Sequence, residues 1–329
     1  MKSRVFNSKA MQSFTRYFLL IALLLSFAVF GVLEPNYFST DNIMNILRSV
    51  SVTSLMAFGM LLVVNTGEIN FAIGAQLTLA GAIVGHMLDS RTFHNYFVAV
   101  LVAFIAIELS MVLILFLILY LRIPAFIATL GASAILDAAA KYLTGNVTLL
   151  SQLWPESFSF LGQTYIGGTV PLPFVIMTIF AILVYVFMEK TTIGRDMFCV
   201  GANITAANQM GINVKRMKII AFLLCGFFVT LAGIIQASIA NSIILSTGSS
   251  YLLPVISSSI LGATFLKPGK YNVPGTLIAS LFTVVVRIGV VSIGAGSFLT
   301  DVMQGIILII SVSMIANIRK EGLPSVSFG

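Results

Sequence analysis

The run FVAVLVAFIAIELSMVLILFLILYL, residues 97–121, carries a single charged residue, Glu108. A stretch this long and apolar matches the roughly 20 residues that cross a bilayer as a helix. It does not alternate apolar and polar residues, as the strand of a membrane barrel must. A helix, which closes its own backbone hydrogen bonds, is the remaining way through hydrocarbon. The whole chain repeats the message: 58% of its residues are apolar and 9% charged. A soluble domain carries roughly a quarter charged residues, and a soluble chain this apolar would expose large sticky patches. Most of its surface therefore faces lipid.

Ten apolar segments read as spans: roughly 17–33, 46–64, 71–88, 97–121, 124–143, 170–188, 218–240, 250–266, 273–293 and 297–317. The expected fold is all-α, a polytopic membrane bundle of about ten transmembrane helices forming one domain over residues 1–329. Alternation along ten spans collects Lys2, Arg4, Lys9, Arg16, Arg122, Lys190, Arg195, Lys215, Arg216, Lys218, Lys267, Lys270, Arg319 and Lys320 on one side. Arg48, Arg91 and Lys141 fall on the other, and Arg287 falls inside a span. Short loops rich in Lys and Arg stay cytoplasmic, so both termini are expected inside. The net charge of +7 thus marks membrane orientation and gives no reason to expect nucleic acid. The run after Arg16 lacks a small-residue cleavage site and reads as a retained first span. Two connections are long: about 144–169, outside, with Trp154, Pro155 and Gly167–Gly168, and about 189–217, inside and rich in charge.

No G-x-x-x-x-G-K-[ST] phosphate loop occurs; Pro268-Gly269-Lys270-Tyr271 lacks the upstream glycine and the hydroxyl. His86 and His94 have no zinc spacing, Cys199 and Cys225 have no metal or redox spacing, and no G-x-S-x-G elbow appears. The chain is expected to be no enzyme, with no cofactor or metal of its own. The inner segment offers more. Between Gly201 and Gly211 the small residues Ala202, Ala206 and Ala207 follow one another, and Asn203 or Thr205 can cap a two-turn helix. Small residues on one face permit close approach of another protein.

Four stretches carry a likeness to a known family. They are Thr191-x-x-Gly194-Arg195, then Gly201-x-Asn203-x-x-Ala206-Ala207, then Gly211-Ile212-Asn213-Val214-x-Arg216; Arg122-Ile-Pro124-Ala-Phe126-Ile-Ala-Thr129-Leu-Gly131; Leu261-Gly262-Ala263-Thr264 to Pro274-Gly275-Thr276; and Thr66-Gly67-Glu68-Ile69-Asn70-Phe71-Ala72-Ile73-Gly74. Together they resemble the permeases of sugar-type ABC importers, the family of ribose, galactose, xylose and autoinducer-2 permeases. Asn70 and Ala72 stand where that pattern carries Asp and Ser, and Glu68 replaces a glycine. The resemblance implies a bacterial inner-membrane subunit that moves a small polar, sugar-like solute by alternating access. It implies a coupling helix built from Gly194, Arg195, Gly201, Asn203, Ala206, Ala207, Gly211 and Ile212 that enters a cleft on a separate ATPase subunit. It implies a second permease subunit, a periplasmic or lipid-anchored solute-binding protein, and ATP and Mg²⁺ used by the partner ATPase alone.

Charged groups inside spans are costly and face the bundle interior or water. Glu68, Asn70, Phe71, Thr129 and Arg287 are the candidate pathway residues. Glu108, Asp137, Lys141 and Asp301 are candidates for structural pairing, with Asp137 and Lys141 spaced to pair with each other. Two rival readings stay open on residues alone: a stand-alone secondary transporter or channel using Glu68, Glu108 and Asp301 as ion sites, and a scaffold subunit without a pathway.

Overall fold

The computed structural model describes residues 9–89, 95–150, 154–266 and 268–320. Lys2, Arg4, Arg91, His94 and Lys267 lie outside the described residues. In chain order the elements are α1 (Lys9–Leu33), α2 (Thr40–Val64), α3 (Ile73–Asp89), α4 (Tyr96–Leu119), α5 (Ala125–Thr144), β1 (Leu149–Leu150), α6 (Glu156–Gln163), β2 (Tyr165–Ile166) and β3 (Val170–Pro171). There follow α7 (Leu172–Lys190), α8 (Thr192–Ala202), α9 (Ile204–Gln209), α10 (Val214–Ala240), β4 (Ser242–Ile243), α11 (Thr247–Leu261), α12 (Val273–Ser292) and α13 (Gly296–Lys320). A single 3₁₀ turn, Gly262–Thr264, extends α11.

The protein is a helical membrane bundle, and each of the ten apolar segments is helical. Among the described residues, 7 helices are long and apolar enough to cross a membrane: α2, α4, α5, α7, α10, α12 and α13. The apolar part of α1 is Tyr17–Leu33, and α3 and α11 have 17 and 15 residues. A 15-residue helix is about 22 Å long, short of a hydrocarbon core of about 30 Å. Both short helices are mostly buried inside the protein, where neighbouring helices rather than lipid satisfy the chain.

The core is built around α2. Every residue from Val50 to Val64 is buried, and α10, α11, α12 and α7 pack around it. A helix apolar on all sides belongs at such a centre. Around it, α3 packs against α4, α5, α10 and α11. The outer helices carry apolar rows at helical spacing that no described part of the chain covers: Leu101, Ile105 and Leu109 on α4, Ile179, Ile182 and Val186 on α7, and Ile306, Ile309 and Ile310 on α13. Such rows are the surface that a membrane bundle presents to lipid or to another chain.

The connections sort to two ends of the bundle. One end gathers α8 and α9 with the turns at 65–72, 120–124 and 262–272. The other gathers α6 and the short strands. There β1 pairs antiparallel with β4, Leu149 opposite Ile243, and β2 pairs with β3. The segment read as an outer loop, 144–169, is thus part helix. Ser238 of α10 fixes α6 twice, accepting from Gly162 N–H at 2.8 Å and donating to Phe158 C=O at 2.5 Å.

Candidate functional site

The end that carries α8 and α9 is assembled from one repeated local device. An Asn or Thr side chain at the residue before a helix can accept the N–H three residues on, satisfying one of the helix's orphan donors. Thr191 does this to Gly194 N–H at 3.2 Å and starts α8. Asn203 does it to Ala206 N–H at 3.0 Å and starts α9. Asn213 does it to Arg216 N–H at 3.0 Å and starts α10. Asn272 does it to Gly275 N–H at 2.8 Å and starts α12. The family-like spacings T-x-x-G, N-x-x-A and N-x-x-R are therefore helix starts.

The other positions of the same motifs have equally local causes. Gly211 sits at φ +80°, a left-handed conformation natural to glycine. Its N–H bonds to Asn208 C=O and that of Ile212 bonds to Ala207 C=O, both at 3.0 Å, the Schellman pattern that closes a helix. Ala207 is fully buried under Ile212 and the bundle. At Gly201 a Cβ would come within 2.3 Å of Asn65 C=O, so only glycine lets the end of α8 rest on the end of α2. Gly194 is held equally close to Met188 at the end of α7.

Further contacts tie this element to its surroundings. Glu68 forms an ion pair with Lys218, the fifth residue of α10. Lys270 pairs with Glu189 at 3.2 Å and lies 5.5 Å over the Phe198 ring of α8. Lys215 lies 6.0 Å over Tyr120 at the end of α4. Asn272 also donates to Gly262, Phe265 and Lys270 carbonyls at 3.0 to 3.2 Å, knotting the late glycine-rich turn. The α8–α9 element thus contacts α2, α7, α10 and the turn before α12.

What faces outward is different from the small residues that the sequence pattern emphasised. Arg195 and Asn203 are exposed and Ala206 is half-buried. The exposed apolar residues at the two ends of α9 are Ile204, its first residue, 44% exposed, and Met210, just past its last, 63% exposed. Neither stood out in the sequence, since both sit among polar neighbours. The only available signal was their spacing of six residues, which does not mark a common helical face.

The pathway candidates fall in three places. Glu68 is taken up by Lys218. Asn70 is fully buried: its Oδ1 accepts from Ala72 N–H at 3.0 Å and its Nδ2 donates to Gln76 Oε1 at 3.0 Å. An aspartate at this position is acceptor-only when ionised, so it could pair with Gln76 only if that amide turned to present its N–H. Phe71 and Phe126 meet edge to face at 5.2 Å, and Thr129, buried, donates back to Ala125 C=O at 2.7 Å. Arg287 stands apart on α12. Its guanidinium lies 5.1 Å over the Tyr251 ring of α11, and Tyr251 donates to Gln236 of α10 at 2.8 Å. Tyr251 and Gln236 were not singled out from the sequence, because their meeting is a tertiary event between three helices. Glu108, midway along α4, lies against Gly226, and Asp137 and Lys141 lie one turn apart on α5.

Residues 42–312 match the family described as "Branched-chain amino acid transport system / permease component". The chain is 33% identical over 296 residues to the ribose import permease protein RbsC of Escherichia coli (strain K12), covering 89% of this chain and 91% of RbsC. It is 31% identical over 292 residues to RbsC of Bacillus subtilis (strain 168), covering 89% and 90%. It is 27% identical over 290 residues to the autoinducer 2 import system permease protein LsrC of Photorhabdus luminescens, covering 88% and 86%. No solved structure matches the chain. Glycine, cap and helix-stop residues that set the α8–α9 element lie within the matched region, and the chain belongs to this family of ABC-type transport permease components, multi-pass membrane proteins that carry transport and not catalysis.

Proposed function

We propose that this chain is the permease of an importer for a small sugar-like solute, powered by a separate ATPase that docks on α8 and α9. The reading takes residues 1–329 as one domain with ten spans, both termini and the 189–217 segment at the cytoplasmic face, and 144–169 outside. The observation that carries it is the seating of Gly201 on Asn65. A push on α8 is delivered by backbone contact to α2, the helix around which the bundle is packed. Interiors packed this densely pass displacements on with little compression. Ile204 and Met210, at the two ends of α9, are the apolar contacts of the docking element, and Gly194, Gly201, Asn203, Ala206, Ala207, Gly211 and Ile212 hold its shape. Arg195, exposed beside them, supplies charge to the same face. ATP and Mg²⁺ belong to the partner ATPase, a second permease subunit completes the membrane unit, and a solute-binding protein delivers cargo at the face of α6.

For the pathway, Arg287 is the strongest of the five candidates. A guanidinium, a phenol and a carboxamide from three helices offer the stacking surface and planar hydrogen-bond groups that suit a polyol. Glu68, Asn70 and Thr129 have their polar atoms engaged within the chain and hold the turn beneath the pathway, with Phe71 packed beside them.

Reconstitution tests this directly. Proteoliposomes holding the permease, its cognate ATPase and binding protein should accumulate radiolabelled ribose only when ATP is supplied. Uphill accumulation by the permease alone would instead make it a secondary transporter.

A further inference from the structure

Helix α12 is polar along one row and apolar elsewhere. Thr276, Ser280, Thr283 and Arg287 recur at spacings of four, three and four residues, which places them on one helical face. The row spans about 16 Å of helix. It faces α11. Arg287 lies over Tyr251, Thr283 shares a hydrogen bond of 3.1 Å with Ser258, and a Cβ on Gly262 would come within 2.5 Å of the Thr276 nitrogen. The apolar residues Val284, Val285 and Ile288 cluster instead with Phe30 of α1 and Val50 of α2. The seam between α11 and α12 is closed in this structure: Thr276, Ser280 and Thr283 are all buried. Ser280 Oγ has no hydrogen-bond partner among the described residues, and a buried hydroxyl left unpaired is costly. Closure therefore carries a cost that opening to water would relieve.

Beside this row, α11 is built to bend. Pro254 sits inside it; lacking an N–H, proline leaves the Ser250 C=O without its intrahelical donor, a common cause of kinks. The two halves of α11 are anchored to different neighbours. Before Pro254, Gly248 N–H donates to Thr78 of α3 at 3.1 Å, and Tyr251 donates to Gln236 of α10 at 2.8 Å. After it, Ser259 donates to Ala57 C=O of α2 at 3.1 Å, and Ser258 meets Thr283 of α12. We propose that the seam opens from the α6 end by bending α11 about Pro254, and that the Ser258, Ser280 and Thr283 hydroxyls then bind the hydroxyls of a polyol solute below Arg287. The proposal rests on the reading of Arg287 as a pathway residue and adds the next station along it. The backbone contact of Gly262 with Thr276 keeps the α8 end of the seam shut, so a solute held at this level is reached from the α6 side alone.

The test uses the full-length permease with its cognate ATPase and binding protein in proteoliposomes, in a background of Cys199→Ser with Cys225→Ala. Ser280→Cys is exposed to the membrane-impermeant reagent 2-sulfonatoethyl methanethiosulfonate, and labelling is followed by mass spectrometry. The control is Ser311→Cys on α13, an equally buried hydroxyl that has a partner in Ile307 C=O. With ATP and binding protein, labelling of Ser280→Cys should rise about 10-fold over the nucleotide-free rate, as a minor open state becomes populated. Ser311→Cys should stay unlabelled, and Pro254→Ala should remove most of the rise. Labelling should stop uptake of radiolabelled ribose, and dithiothreitol should restore it. Labelling of Ser280→Cys no faster than that of Ser311→Cys, a rise unchanged by Pro254→Ala, or full uptake by labelled protein overturns the proposal. If Ser280→Cys is not recovered folded, Thr283→Cys takes its place. Arg287→Met separates the two readings. Uptake lost in Arg287→Met with Ser280→Cys never labelled keeps the Arg287 reading and overturns the seam. Uptake kept in Arg287→Met with Ser280→Cys labelled overturns the Arg287 reading and keeps the seam.

Discussion

The two ends of the bundle are built on different principles. At the α8–α9 end, backbones touch: Gly201 against Asn65, Gly194 against Met188, and Gly262 against Gly275, where a Cβ on Gly275 would come within 2.0 Å of Gly262 C=O. Polar side chains there are used to start helices and to brace turns, Asn65 Oδ1 being an unpartnered exception. At the α6 end the connections are two-residue strand pairs and one short helix. Among the described residues, Tyr96 and Trp154 have unpartnered polar atoms there, and a cavity of ≈ 740 Å³ lies between α4, α6 and α10. Close backbone contact is not confined to one end: a Cβ on Gly162 of α6 would come within 2.3 Å of the Ile239 nitrogen on α10. The contrast lies in what surrounds such contacts, since the end proposed to receive a mechanical input is braced at several of them and the end proposed to meet solute combines one with open space.

Four substitutions sharpen or break this contrast, and the largest effect is expected first. Gly275→Val drives a branched side chain into the Gly262 carbonyl and should cost more than about 4 kcal/mol, beyond the usual range for a single change. The check is the thermal unfolding midpoint in detergent, and a small shift would show that the late turn has slack after all. Lys218→Met leaves Glu68 without its cation in a pair whose side chains are only 12% and 21% exposed. A loss of about 1–3 kcal/mol is expected. The charge swap Glu68→Lys with Lys218→Glu should recover part of it in a double-mutant cycle. Asn203→Ala removes the cap of α9 and should cost about 1 kcal/mol. It should also weaken ATPase association more than it lowers the unfolding midpoint. Tyr165→Phe, at the α6 end, removes the bond that Arg48 Nη2 donates at 2.7 Å but keeps the ring that Arg48 covers. Its effect should stay below about 1 kcal/mol, and a larger value would mean that this end is as tightly keyed as the other.

Much of this was legible in the residues. Hydropathy located the ten helical segments because burial in lipid demands long apolar runs, and Asn203 was readable as a cap from its place before Ala206 and Ala207. α8 was not recognised as a helix. Its glycines at 194 and 201 look like breakers, and they are present because α7 and α2 lie too close for any Cβ. Thr191, three residues before Gly194, was the signal that could have found it. The direction of Ala207 was also hidden: small residues permit close approach, but a sequence does not say whose. Here the approach is to the protein's own bundle, so Ala207→Glu would test folding rather than docking. Arg287 was visible as a charge inside a span, while its setting against Tyr251 and Gln236 depends on how three helices cross. Asn70 drew notice for departing from an aspartate pattern, and its donor bond to Gln76 shows what the amide adds.

The most direct test of the docking claim is retention of the cognate ATPase on affinity-purified permease carrying Ile204→Glu together with Met210→Glu. The control is Leu150→Glu, an equally exposed site in β1 at the opposite end. The account predicts that the α9 variant loses the ATPase while keeping its unfolding midpoint, and that the β1 variant retains it. Full retention by the α9 variant, or loss by the β1 variant, would contradict it.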